Sequence, residues 1–192
     1  MGKINLSGFS NIHVAKMKTA DAPGVRPTYD VPVALRGGKN IEVSLNFEGI
    51  TFYADNSVSF QDNFFSGGEV TLSLSGLTVE EYVMLFGNKK DEKGVLSVNA
   101  NHVAPELAIT FEKKILGTES AVRRFVLYAV KLAPGSISAE TIADSISEEP
   151  VELTGVVRQL SEGEIYAMVD TNDDDYDVSL DNWHEEIKFI TA

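Results

Sequence analysis

Apolar and polar residues alternate through most of this chain, in short runs separated by glycine, proline or acidic links. Alternation sends successive side chains to opposite faces of an extended backbone, so it marks strands with one face buried. In NIHVAKM (11–17), Ile12, Val14 and Met17 stand among polar neighbours, and in KNIEVSLNFEGITFYAD (39–55) Ile41, Val43, Leu45 and Phe47 share one face. GEVTLSLSGL (68–77) repeats the period with Val70, Leu72 and Leu74. ELAITFEKK (106–114) and RRFVLYAVKL (123–132) read as paired strands about the link LGTES. PVELTGVVRQL (150–160) and GEIYAMVD (163–170) read as a second pair joined at SEG. Seven such segments predict a mainly β fold, an antiparallel β-sandwich or barrel.

One segment changes period. TVEEYVMLFG (78–87) opens with Thr78 and Glu81 at capping-box spacing, sets Val79, Tyr82, Val83 and Phe86 at helical intervals and stops on Gly87. It predicts a single short α-helix flanking the sheet, with Glu80 and Glu81 favouring the helix dipole. SAETIADSISEE (138–149) suits a connection by its polarity, and Ile137, Ile142 and Ile146 fit either period.

Two stretches look built for exposure. KTADAPGVRPTYDVP (18–32) holds Pro23, Pro27 and Pro32, three of the six prolines, and predicts a long loop because proline supplies no backbone donor to a ladder. GITFYADNSVSFQDNFFSGG (49–68) lies between Gly49 and the pair Gly67 and Gly68, and joins two good strands. Its Phe52, Tyr53, Phe60, Phe64 and Phe65 are costly to leave in water. They predict a long protruding β-hairpin that buries itself against another chain.

Length and composition set the outer bounds. With 192 residues, 43% of them hydrophobic, one domain over 1–192 has the material for a core without staples. The absence of cysteine excludes disulfides and thiolate chemistry. No apolar run reaches bilayer-spanning length, and MGKINLSGFSNIHV lacks the parts of a signal peptide, so the expected origin is cytoplasmic. The net charge of −13 is not evenly spread: residues 1–139 hold 14 acidic and 14 basic side chains, and residues 140–192 hold 15 and 2. Nucleic-acid backbones are bound by lysine and arginine, so such a chain repels DNA rather than holding it.

Candidate chemistry is sparse. VDTNDDDYDVSLD (169–181) carries six aspartates and matches a calcium loop at Asp170, Asn172 and Asp174. It then places Asp175 where the sharp turn needs glycine, and Asp181 where the bidentate glutamate belongs. A solvated acidic loop is the better reading, with no metal or cofactor. There is no G-x-S-x-G, and His13, His102 and His184 fall in segments that suggest no shared site. The glycines of RGGKN and SGGEV lack the lysine and helix of a phosphate loop and read as turns. Trp183, in NWHEEI, reads as a carboxy-terminal anchor (178–192) packing on the body. Nothing here predicts an enzyme.

The order of segments carries more than any one of them. IEVSLNFEGITFYADN, GGEVTLSLSGLTVEEYVMLFG, VAPELAITFEKK, RRFVLYAVKLAP, ETIADSI, ELTGVV and an acidic stretch before NW follow one another. This series resembles the major tail protein family of long-tailed phages of Gram-positive hosts, the tail tube proteins. The resemblance spans nearly the whole chain. Its most specific pieces are Tyr53-Ala54-Asp55-Asn56, the strand and helix from Gly68 to Gly87, and Ala104-Pro105-Glu106. It implies a β-sandwich with a flanking helix, six copies closing into a ring, and stacked rings forming a tube through which DNA leaves the virion. The implied location is the virion tail, after synthesis in the host cytoplasm, and the implied partners are further copies and the tail tape measure, tail terminator and distal tail proteins.

The same resemblance implies inter-subunit roles for Phe52, Tyr53, Asp55, Asn56, Phe60, Phe64 and Phe65 of the hairpin, and makes the 18–32 loop and the Trp183 anchor further contact candidates. Asp173, Asp174, Asp175 and Asp177 then line the lumen, keeping DNA mobile by repulsion, or coat the outer wall. Two other readings stand beside it: the inner tube of a contractile injection or secretion system, and a non-catalytic ligand-binding β-sandwich module.

Overall fold

A computed structural model describes residues 4–54, 57–135 and 150–189. They are mainly β and antiparallel with one α-helix, as the alternation predicts. Eleven strands run in chain order: β1 Leu6–Thr19, β2 Thr28–Tyr29, β3 Val33–Ala34, β4 Gly38–Ala54, β5 Ser57–Leu74, β6 Lys89–Lys90, β7 Leu96–Ser97, β8 Leu107–Ile115, β9 Val122–Ala133, β10 Val151–Val157 and β11 Tyr166–Asp170. The helix α1 is Val79–Phe86. Nine strands form one sheet ordered β2-β1-β8-β9-β10-β5-β4, with β3 on β1 and β11 on β9; β6 and β7 pair separately. The barrel is not closed. Its first and last long strands nevertheless approach, since a Cβ at Gly38 of β4 would overlap the side chain of Ile12 of β1.

The sheet buries both faces of its centre. In β9 the run FVLYAV has lost alternation, which suits a strand covered on each side. Leu127, Val130 and Leu132 face a core shared with Val14, Val70, Leu72, Leu74, Leu107, Ile109 and Leu153. Val126, Tyr128 and Ala129 face a second core with Leu160, Trp183 and Ile187. Helix α1 closes the first core with Leu85 and Phe86. Its capping box is formed as the spacing predicts: Thr78 Oγ1 accepts from Glu81 N at 3.2 Å, and Thr78 N donates to Glu81 Oε2 at 2.6 Å. Gly87 ends it in the left-handed region, at φ 68°.

Two expectations change. The segments about SEG do not pair with each other: β10 lies between β5 and the end of β9, and β11 lies farther along the same side of β9. The links at 158–165 jog out of the ladder instead of turning back, because Leu160 drops into the second core and Arg158 is held by Glu106 and Asp21. The SGGEV glycines are not a turn, since β5 runs through them. Opposite Asn46 and Phe47 it carries one extra residue, Ser66, and Gly67 absorbs the bulge at φ 140°. The 18–32 stretch is a loop that returns to the sheet edge, where Tyr29 pairs with Met17 and Ala22 bridges Val25. The 138–149 segment lies outside the described residues.

Candidate functional site

The predicted hairpin is the outer part of β4 and β5 rather than an insertion between them. Gly49 is no boundary, for it pairs with Asn63 inside a ladder that continues to Ala54 and Ser57, with one register shift between Phe52 and Tyr53. The inner halves of both strands belong to the sheet. Beyond Gly68, which pairs with the last residue of β10, the two strands continue as an arm paired to each other. At about 3.3 Å per residue the arm is on the order of 30 Å long.

Register assigns the faces. Directly opposed residues share a side, and sides alternate along each strand. Phe52 opposes Phe60, and Ile50 and Phe64 lie on the same face; Phe47 opposes Phe65 on the other, which Tyr53 shares. The rings pair across the ladder, with centroids 6.0 Å apart for Phe52 and Phe60 and 5.7 Å for Phe47 and Phe65. Phe65 is half-buried. Phe47, Phe52, Phe60 and Phe64 remain 59%, 58%, 50% and 45% exposed, and Tyr53 73%. Both faces are therefore aromatic and both meet solvent. Asp55 and Asn56 lie outside the described residues. β4 is also the last strand in the sheet order, so its outer backbone edge has no ladder partner within the described sheet.

Trp183 is placed differently. It is 4% exposed and its indole N–H donates to the Phe125 carbonyl at 3.1 Å. The segment around it crosses the second face of the sheet: Tyr128 Oη donates to the Lys188 carbonyl at 2.9 Å, and the Tyr128 and Phe189 rings stack at 4.9 Å. Burial pushes the Tyr128 hydroxyl up to about 12. Tyr29, donating to the Tyr128 carbonyl at 2.7 Å, is raised further, again by burial. The anchor closes its own chain, so the indole is not offered to a neighbour.

The acidic stretch is mostly occupied with its own fold. Asp170 takes a two-pronged bond from Arg123, whose pKa that bond raises. Asp181 accepts from Tyr176 Oη at 2.7 Å beside Arg124. Asp177 caps the short helical turn Val178–Leu180 by accepting from Ser179 N at 2.8 Å, and backbone hydrogen bonding holds its carboxyl low. Asp173 accepts from Asp175 N at 3.1 Å. Asp174, Asp175 and Asp177 are exposed, and Asp173 is half-buried. Among the described residues no three acidic or histidine side chains converge as a metal site.

No family model and no curated protein matches this chain. Two groupings escaped the sequence reading. Asp21, Glu106 and Arg158 form an ion cluster from three distant segments. His13 and His184, expected to share no site, stack with centroids 5.0 Å apart. Neither has a local signature, because each brings together residues far apart in the sequence.

Proposed function

We propose that this chain is the tail tube protein of a long-tailed phage, a structural subunit that closes into six-membered rings stacked as the conduit for DNA. The observation that carries the proposal is the arm. A two-stranded ribbon alone in water is marginal, and one with aromatics on both faces is a poor candidate to stay free. Each phenylalanine is worth about 1.5–3 kcal/mol when covered. The matching surface is supplied by further copies of the chain, which also occupy the unpaired edge of β4; an open edge is a standing template for association, and ring closure removes it.

The charge suits a conduit. A net charge of −13 keeps a passing polyanion from sticking, and Asp174, Asp175 and Asp177 are exposed to take part in that repulsion. The tape measure, terminator and distal tail proteins are the partners that such a tube requires, and the virion tail is its place.

Electron microscopy and sedimentation test the reading. The wild-type protein at high concentration is expected to form rings or tubes on the order of 100 Å across. The double variant Phe52→Ser, Phe60→Ser should remain a folded monomer with unchanged circular dichroism and lose assembly. Tubes formed as readily by the variant, or a wild-type chain that stays monomeric, would sink the proposal.

A further inference from the structure

Apart from the arm, the most unusual grouping lies where β1 meets the segment that follows β11. β1 reaches it irregularly: its register against β8 shifts between Ser10 and His13, and Asn11 takes φ 59°, a left-handed conformation that asparagine tolerates. The Asn11 carbonyl lies 3.1 Å from His13 Nδ1. A carbonyl only accepts, so Nδ1 carries the proton and Nε2 is the basic nitrogen. The His13 ring then stacks on His184 at 5.0 Å, with planes 25° apart.

His184 is fixed from its other side by β8. Its Nε2 lies 3.4 Å from Glu112 Oε2 and its Nδ1 2.9 Å from Thr110 Oγ1. With Nε2–H directed at the carboxylate, Nδ1 accepts from the Thr110 hydroxyl, and the neutral ring satisfies both partners. Protonating Nδ1 reverses that last bond. The hydroxyl hydrogen must then point elsewhere from a residue that is 0% exposed.

The charged groups facing the pair come from every neighbouring element. Glu112 lies on β8, and the His184 hydrogen bond holds its carboxyl low despite burial, with Arg124 helping. Arg124 of β9 is 4.0 Å from Glu112 and 3.6 Å from Asp181. Its Nε is buried with no hydrogen-bond partner. Arg36, two residues after β3, lines the groove beside His13. Glu112 thus already faces a fixed cation before either imidazole is charged.

We propose that the His13–His184 stack is a proton-operated clasp, which holds the segment around Trp183 on β1 and β8 while no more than one ring is charged and releases it when both are. Double protonation places two cations 5.0 Å apart beside a carboxylate that already faces Arg124, and like charges that close oppose each other's ionisation. The clasp is independent of any assembly by the arm.

Trp183 is the chain's one tryptophan, it adjoins His184, and its emission reports release. On mild acidification from neutral pH the wild-type emission should shift to the red while far-ultraviolet circular dichroism holds. In His13→Gln the second cation never forms, so the red shift should be absent. The same shift in His13→Gln, or no shift in the wild type, overturns the clasp. Should His13→Gln not fold, imidazole NMR of the wild type decides. Linked two-step titration of His13 and His184 supports the proposal, and independent single-step curves overturn it.

Discussion

A dense polar cluster centres on Arg158. Its guanidinium spans Glu106, at 2.8 Å from Nε, and Asp21, at 3.0 Å from Nη1, while Asp21 also accepts from Ser161 N at 2.8 Å and Oγ at 2.9 Å. Burial by itself raises the Asp21 carboxyl, but the bonds from Arg158 and Ser161 outweigh it and the net shift is downward. The Arg158 bond likewise lowers Glu106. Both carboxylates are more acidic folded than unfolded. Their stabilisation is therefore complete above the unfolded value of about 4 and is lost as pH falls through the lower folded values. Arg158→Ala should cost about 2 kcal/mol at neutral pH, because the largely buried Asp21 loses a charged partner while Arg158 itself is partly solvated. Urea melts at pH 7 and pH 3 measure both statements: the gap between wild type and variant should shrink at the lower pH. An equal gap at both would mean that the cluster is not what titrates.

Elements show how far the sequence could be read. The helix was legible because its signals are local, with Thr78, Glu81 and Gly87 all within a few residues of the turns that they cap. Thr78→Ala should accordingly lower stability by about 1 kcal/mol in chemical denaturation, without change in fold. β8 and β9 were legible for the same reason, joined by a short link and paired side by side. The partners of β10 and β11 were not. Each has the period of a strand, but what sets their pairing is where Leu160 and Arg158 must go, and those contacts involve residues far away in sequence. The arm falls between the two cases. Its aromatics were visible as too many for a loop, whereas its root was hidden, since a double glycine reads as a turn and here forms a bulge inside β5. At that root a Cβ on Gly68 would come within 2.9 Å of the Ser44 carbonyl and of Leu45, and within 3.2 Å of Val157. Gly68→Val should lower the thermal midpoint by the equivalent of about 2 kcal/mol. A neutral result would show that the arm's base can open.

At the scale of the whole molecule, the proposed association of copies sets two forces against each other, and salt separates them. The arm offers apolar area on both faces, whose burial is nearly indifferent to moderate salt. The net charge of −13 makes every copy repel every other, over a range of about 10 Å at 0.1 M ionic strength and about 30 Å at 0.01 M. Were ion pairs the main contacts between copies, added salt would dissolve the assembly. With an aromatic arm and a self-repelling chain the sign reverses, and screening favours growth. Raising sodium chloride from about 10 mM to about 300 mM should therefore lower the concentration at which light scattering first rises by several-fold. The Phe52→Ser, Phe60→Ser variant should show no such onset at either salt, since screening removes a repulsion but supplies no attraction. Dissolution of wild-type assemblies by salt would place the adhesion in charged side chains and leave the arm without its assigned role.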